Sequence, residues 1–138
     1  IHSGNVVGDN LWLWRADHVR LRPASRGQPA EEPNDPKFPY YHQTENGECP
    51  VRNALEVNGD NVTIFGLFCE HTLQHQMVWN GNHGKVYFYQ SELPYDVYQE
   101  DFDGYVGYFV HESVSEHQAK GVGVYSNFVK DEVAAATG

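Results

Sequence analysis

Three acidic residues occur at matching places in the sequence and could carry out one reaction together. Aligning the tripeptides ADH, CEH and SEL puts Asp17, Glu70 and Glu92 in equivalent positions. Glycoside hydrolysis requires two carboxyl groups, one protonated as the acid and one ionised as the nucleophile or base. Stacked strands lie about 4.8 Å apart, so adjacent or alternate strands suit retaining or inverting hydrolysis respectively. These acids are the candidate catalytic residues, and the alternative is an exposed acidic stripe.

Aromatic residues in the same segments are candidates for sugar binding, because flat rings can stack on sugar faces. Trp12 and Trp14 alternate with two leucines and are expected to face outward together, and Trp79 is a third candidate. The run ELPYD ends a predicted strand with Tyr95 and Asp96, where a ring and a carboxylate could bind a sugar. The alternative is that the tryptophans are covered by a proline-rich loop.

Histidines next to the acids raise the question of a metal site. His18 and His71 each follow one of the acids, and His75 comes four residues later. Two imidazoles with carboxylates would suit zinc. The context is a strand leading into a turn, however, so hydrogen-bonded structural histidines are the preferred interpretation. We expect no metal and no other cofactor.

The elements that must position these residues are predicted to be strands. Period-two runs of aromatic and β-branched residues occur in NLWLWRADH, NVTIFGLFCEH, KVYFYQSEL and GVGVYSNF. In the third run Val86 and Phe88 are expected to share one face. The runs VNGDN and NGNHG predict tight turns with positive φ angles, or ladders of amides between stacked turns. A capping pattern predicts a short helix over Ser113–Gly121, and VKDEVAAATG is a second helical signal.

The spacing of the repeat predicts the fold. Glu70 and Glu92 are 22 residues apart, which fits one coil of a solenoid whose units must stack to bury a core. We predict an all-β right-handed parallel β-helix or a portion of one, and the alternative is an antiparallel β-sandwich or jelly roll. Residues 1–138 are expected to form a single β-rich domain of a longer β-helix. Residues 22–39 hold five of the seven prolines and predict a surface loop.

Composition limits the partners and suggests the compartment. The formal net charge of −10 repels nucleic acids, polyanionic polysaccharides and anionic membranes. No apolar run approaches the roughly 18 residues needed to span a bilayer. Asn61 begins an N-glycosylation sequon, and a sequon together with two cysteines suggests secretion. A disulfide between Cys49 and Cys69 is expected, and two free thiols are the alternative.

Four stretches carry a family resemblance: GDNLWLWRADH, VNGDNVTIFGLFCEH, HQMVWNGNHGKVYFYQSELPYD and GVGVYSNF. They resemble a family of secreted microbial and fungal proteins often called coagulation factor 5/8 type domain-containing protein or, in fungi, adenylyl cyclase. The family looks like part of the pectate-lyase-like β-helix superfamily, near glycoside hydrolases that cut 1,3-glucans. Its members are much longer, so the resemblance implies that this chain forms only some of the coils.

The expected function follows from the acids, the rings and the resemblance together. The chain is predicted to be a secreted carbohydrate-active protein that hydrolyses a neutral glucan with paired carboxylates. The alternative is a non-catalytic glycan-binding or extracellular structural protein, which could self-associate. The expected partner is a neutral polysaccharide or cell-wall glycan, with no nucleic acid and no membrane.

Overall fold

The computed structural model describes residues 1–17, 49–128, 132–136 and 138. The chain divides into two compact units, one formed by Ile1–Arg15 and Pro50–Gly138 and the other by Ala16–Cys49. Every element named below belongs to the first unit. The loop predicted at 22–39 lies outside the described residues.

Strands dominate the described residues, which confirms the predicted all-β class. The segments that form them are rich in aromatic and β-branched residues, which favour extended backbone. In chain order the elements are β1 (Val7–Trp14), β2 (Leu55–Val57), β3 (Thr63–Glu70), β4 (Met77–Trp79), β5 (Gly84–Glu92), α1 (Gln99–Phe102), β6 (Tyr108–Val110) and β7 (His117–Tyr125).

The strands form two parallel sheets. One has the order β1-β3-β5-β7 and the other the order β2-β4-β6, and neighbouring strands in both run parallel. The chain therefore alternates between the long strands of one sheet and the short strands of the other, adding one layer at each return. The antiparallel sandwich or jelly roll is wrong, because parallel neighbours need crossover connections where a sandwich uses hairpins.

The register confirms the repeat of 22 residues. Thr63 pairs with Lys85 and Glu70 with Glu92, and the short strands follow the same spacing where Leu55 pairs with Met77. Between β5 and β7 the spacing grows to 33 residues, because the connection includes α1. The coil is thus a fixed unit that tolerates insertions between its strands.

A left-handed residue interrupts each long strand at the same level. Asn10, Gly66, Phe88 and Gly121 have φ angles of 51°, 68°, 63° and 70°. Each occupies the position that the parallel ladder skips. Such an extra residue changes the in-and-out alternation of a strand. Val86 is consequently buried while Phe88 is 60% exposed, so the expectation that both share one face is wrong.

The core lies along the inward-facing side chains of both sheets. Trp79 is its largest member, fully buried, and its indole Nε1–H donates to the Gly81 carbonyl oxygen at 3.0 Å. This bond satisfies the one polar atom of the ring, which burial would otherwise leave unpaired. The core cluster consists of Val57, Val62, Ile64, Leu67, Cys69, Met77, Trp79, Val86, Tyr89 and Tyr108.

The predicted turns occur where the long strands begin, but glycine acts there through its size. A Cβ atom on Gly59 would lie 2.0 Å from the Ser3 carbonyl oxygen, and one on Gly81 would lie 2.0 Å from the Gly59 carbonyl oxygen. The positive φ angles of these turns fall on Asn61 and His83 instead. Glycine is needed because successive coils approach closely at this corner.

Polar side chains also connect one turn to the next, as the amide-ladder interpretation predicts. The Asn80 Nδ2 amide donates to the Asn58 Oδ1 atom at 2.7 Å. The Asn82 backbone N–H donates to the Asp60 Oδ1 atom at 2.7 Å. The next coil repeats the contact, since the Ser115 N–H donates to Asn82 Oδ1 at 2.8 Å. These bonds satisfy turn groups that lack a strand partner.

The helix predicted over Ser113–Gly121 is wrong. Residues His117–Tyr125 form strand β7 instead, which pairs with β5 along its length. Pairing supplies backbone hydrogen bonds to a segment whose local capping signal is weak, so the tertiary partner decides the outcome. Residues 132–136 are not helical, and Ala136 bridges Val106 in parallel. Within the described ranges, no helix has the length and hydropathy to cross a membrane.

The predicted Cys49–Cys69 disulfide is also wrong, since both of these described cysteines are free. Cys69 is fully buried in the core because its position on β3 faces inward, whereas Cys49 is exposed. Burial raises the pKa of the Cys69 thiol to about 12. The thiol therefore stays protonated and behaves as a small apolar core side chain.

We predict that Gly81→Ala destabilises the fold by about 1–3 kcal/mol, the usual cost of overpacking. Its Cβ would meet a backbone carbonyl oxygen of the preceding coil, which cannot move without disturbing the turn. Gly123→Ala is the matched control, because its nearest neighbours lie 3.6 Å or more from the added Cβ. Urea denaturation measures both, and equal losses for the two variants would contradict the close-approach explanation.

We also predict that the fold loses stability as the pH falls below about 6.5, the ordinary pKa of histidine. Burial lowers the pKa of both His75 and His117. The His75 Nδ1 atom accepts the Val106 N–H at 3.2 Å, which requires that nitrogen to be unprotonated. The unfolded chain therefore binds more protons in this range. The free energy of unfolding is highest above the pKa of histidine in the unfolded chain, and it falls as the pH drops through the lowered pKa values of His75 and His117 in the folded protein.

Urea midpoints at pH 7.5 and pH 5 test this pH dependence. The variant His75→Gln should show a smaller difference between the two midpoints than the unaltered protein does. His2→Gln, which changes an exposed ring, is the control. An identical difference in His75→Gln and in the control would argue against the role of His75.

Candidate functional site

The outward face at the carboxyl ends of β1, β3 and β5 gathers most of the residues that the sequence analysis proposed. The parallel register places Trp14, Glu70 and Glu92 in one row across the three strands. Neighbouring parallel strands are about 4.8 Å apart, so the side chains of one row are close neighbours. The prediction that Glu70 and Glu92 occupy equivalent positions is confirmed by their pairing.

Asp17 does not share this row. The residue of β1 that pairs with Glu70 is Trp14, three positions before Asp17 in the chain. The alignment that made Asp17 equivalent to Glu70 is therefore wrong. Asp17 also belongs to the other compact unit, and its catalytic role stays a prediction.

The two tryptophans of β1 form an aromatic surface beside the acids. Trp12 is 65% exposed and Trp14 38%, and their rings stack with centroids 5.9 Å apart and planes 15° from parallel. The Trp12 indole Nε1–H donates to the Glu70 Oε2 atom at 2.9 Å. The predicted outward direction of both rings is confirmed, and one of them is fixed to a candidate acid.

Glu92 lies at the centre of a second set of hydrogen bonds. Its Oε2 atom accepts the Tyr95 hydroxyl at 2.6 Å and lies 3.1 Å from the His71 Nε2 atom. The other ring nitrogen of His71, Nδ1, accepts the Trp14 indole N–H at 3.2 Å. The His71 and Tyr95 rings also pack against each other, with centroids 4.4 Å apart. The rings and the carboxylate thus form one connected group.

A buried ion pair supports this end of the strands. The Arg15 Nη2 atom donates to the Asp96 Oδ2 atom at 2.5 Å, and the two side chains are 1% and 7% exposed. Arg15 follows β1 directly and its backbone N–H donates to the Glu70 carbonyl oxygen at 3.0 Å. Asp96 was expected to bind sugar hydroxyls, but its buried carboxylate instead holds Arg15.

The prediction that Trp79 binds a sugar is wrong, because its ring is fully buried in the core. Met77 and Trp79 point inward from the short strand β4, on which only Val78 between them is partly exposed. A side chain with no exposed surface cannot stack on a ligand.

The histidines do not form a metal centre in the described part of the chain, where no three His, Cys, Asp or Glu side chains are suitably grouped. His71 belongs to the group around Glu92, whereas the His75 ring stacks on Phe109 at 4.2 Å between centroids. His18 lies outside the described residues. For His71 and His75 the structure agrees with hydrogen-bonded or packed rings.

His71 is the site residue whose role the sequence did not reveal. From the sequence alone, His71 is a candidate metal ligand or structural histidine, and no contact with Glu92 is predicted for it. The sequence feature that could have indicated this role is its position directly after Glu70, where strand β3 ends. Its partner could not be inferred from spacing, since it depends on a φ angle of +63° at His71.

The arrangement can bind a neutral polyol. Carboxylate oxygens accept hydrogen bonds from hydroxyl groups, and exposed stacked rings offer a flat apolar surface. Glu70 and Glu92 pair in register on adjacent strands, and neighbouring strands are about 4.8 Å apart, close to the roughly 5 Å between the carboxyl groups of retaining glycosidases.

Known proteins are similar to this chain in sequence and fold. An exo-beta-1,3-glucanase from Streptomyces sp. (strain SirexAA-E / ActE) is 32% identical over 135 residues, covering 93% of this chain and 18% of the glucanase. The structure of sacteLam55A from Streptomyces sp. SirexAA-E is 30% identical, with a TM-score of 0.69. A variant of sacteLam55A in complex with glucose is 29% identical, with a TM-score of 0.70.

The match covers most of this chain and a small part of its relatives. Each of the two structures aligns with 91% of this chain, which corresponds to 20% of the solved chain. This chain therefore spans about a fifth of the length of the relatives it matches. The model of the LAM55 pectate lyase-like domain matches residues 1–92, so the chain belongs to this pectate-lyase-like family of 1,3-glucanase relatives.

Proposed function

We propose that this chain binds a neutral β-1,3-glucan as part of a 1,3-glucan hydrolase. The observation that carries the proposal is the stacked, exposed pair Trp12–Trp14 directly beside the carboxylates of Glu70 and Glu92. Relatives described as an exo-beta-1,3-glucanase and as a glucose complex support the substrate class. Rings and acceptor oxygens on one rigid sheet suit a glucose unit, whose ring faces present C–H groups and whose edge carries the hydroxyls.

The charge of the site supports a neutral ligand over an acidic one. Glu70 and Glu92 each accept a hydrogen bond from a neighbouring indole, phenol or imidazole group. The buried cation Arg15 is already engaged with Asp96. A polyuronate would bring carboxylates against these acids, which repel it, whereas glucan hydroxyls can donate to them.

Hydrolysis by Glu70 and Glu92 is the second candidate function. Their in-register pairing on adjacent strands favours it, because paired carboxyls about 5 Å apart suit a retaining mechanism. One acid would protonate the leaving oxygen and the other would attack the sugar or activate water. Asp17 remains a further candidate acid in the other unit of the chain.

We also propose that the coils form part of a right-handed β-helix in a secreted protein. Parallel strands joined by crossover connections are right-handed in nearly all known cases, which supports the hand. A polymeric glucan is an extracellular substrate, which supports secretion. Asn61 is exposed at a turn and begins a sequon, so it is the proposed glycosylation site. Expression in a eukaryotic host tests secretion and glycosylation. We expect the secreted protein to carry extra mass that a glycosidase removes and that is absent in Asn61→Gln.

We predict that Trp12→Ala weakens binding of a soluble β-1,3-linked gluco-oligosaccharide on the order of tenfold, or about 1.4 kcal/mol. The substitution removes an exposed ring and the hydrogen bond to Glu70. Isothermal titration calorimetry measures the affinity. Phe65→Ala is the matched control, because Phe65 is also exposed on β3 but lies beyond the strand bend. Equal losses in both variants would contradict a site at Trp12.

We predict that Glu70→Gln and Glu92→Gln each lower kcat for 1,3-glucan hydrolysis on the order of 10²-fold or more. The amide cannot donate a proton as an acid or act as a base, while its shape is preserved. Reducing-sugar release measures turnover, and Glu116→Gln is the control on an exposed acid. Unchanged turnover with weakened binding would reject hydrolysis by this pair and retain the glucan-binding role.

A further inference from the structure

We propose that His71 is a positioning residue that joins the Trp14 ring to the Glu92 carboxylate, acting as a neutral imidazole with its proton on Nε2. Its effect on glucan binding rests on the proposed function. The hydrogen-bonded chain itself is a property of the protein without ligand, so the two can be tested separately.

The direction of the bonds follows from the donors available. An indole N–H can only donate, so the His71 Nδ1 atom that receives Trp14 must be an unprotonated acceptor. A neutral imidazole unprotonated on Nδ1 carries its proton on Nε2. That proton faces the Glu92 Oε2 atom at 3.1 Å, and a carboxylate oxygen accepts it. The His71 ring therefore accepts a hydrogen bond from Trp14 and donates one to Glu92.

Burial and backbone contacts hold His71 in this position. The residue is 2% exposed, and its backbone N–H donates to the Glu92 carbonyl oxygen at 2.8 Å. Backbone and side chain of His71 thus both bind Glu92. The left-handed φ of +63° is uncommon outside glycine and sets the direction in which the ring leaves the strand.

The same acid receives a second, independent orienting bond. The Tyr95 hydroxyl donates to Glu92 Oε2 at 2.6 Å, and the Tyr95 ring packs on His71. Glu92 remains about one third exposed, so the oriented carboxylate still reaches solvent. Trp14 is likewise partly exposed, while its indole N–H donates to the buried His71 ring. The buried imidazole therefore sets the relative positions of two ligand-facing groups.

Nitrogen-15 NMR of the histidine rings, without any glucan, tests the chain of bonds directly. At neutral pH we expect the His71 signals of the Nε2–H tautomer. In Trp14→Phe, which keeps an aromatic ring but removes the donor, we expect the proton to stay on Nε2 beside Glu92 and the Nδ1 signal to shift, because Nδ1 loses its hydrogen bond. An Nδ1–H tautomer in the unaltered protein, or an unshifted Nδ1 signal in Trp14→Phe, would overturn the proposal.

Oligosaccharide binding tests the positioning role. His71→Asn suits the left-handed backbone, since asparagine tolerates positive φ, but its shorter side chain does not span both partners. We expect affinity to fall on the order of tenfold with little change in Tm, and a shifted Trp14 indole N–H signal. Unchanged affinity together with an unchanged indole signal would overturn the role. If His71→Asn does not fold, Trp14→Phe decides through the His71 Nδ1 signal.

The controls separate this proposal from the proposed function. If the unaltered protein binds no β-1,3-linked oligosaccharide, the glucan proposal fails, and the tautomer measurement still decides whether the chain of bonds exists. His83→Asn is the matched variant, because His83 also has a positive φ and also contacts a glutamate, Glu116, but far along the strand from the site. It should leave both affinity and the Trp14 signal unchanged, and an equal loss there would overturn a specific role for His71.

Discussion

In-register parallel pairing between coils is the constraint on which the rest of the structure depends. Each long strand pairs in register with the next, 22 residues away between β3 and β5, so the features of one coil lie beside the equivalent positions of the next. Backbone bonds at this spacing stack the turn glycines, the turn amides and the core side chains alike. A register shift of one residue would turn the inward set outward, and burial of Ile64 and Val86 opposes it.

Stacking also explains why the two ends of the outward face carry different side chains. The left-handed residues divide each long strand into two stretches, and the stretch after the bend carries the tryptophans and the glutamates. Aromatic groups face outward on both stretches, as Phe65 and Trp12 show, but the acids lie in the row that ends the strands. The site is therefore an end-of-strand feature, held by the buried Arg15–Asp96 pair.

Much of this could be inferred from the sequence, because period-two patterns and a fixed repeat are local properties. The sequence predicted stacked strands, a 22-residue coil, outward-facing Trp12 and Trp14, and the equivalence of Glu70 and Glu92. It failed where a distant partner decides. Pairing with β5 made residues 117–125 a strand, an inward position buried Trp79 and Cys69, and the register excluded Asp17 from the row of acids.

The sequence by itself thus determined which side chains recur and at what period, and with them the class of fold and the chemistry available. Only the tertiary structure decided which of those side chains meet. His71 reaches Glu92 and Trp14 across three strands, over 21 and 57 residues of sequence, through a single left-handed backbone angle. Spacing along a chain fixes which face a side chain takes, whereas contacts between coils depend on register and bends that only the assembled backbone sets.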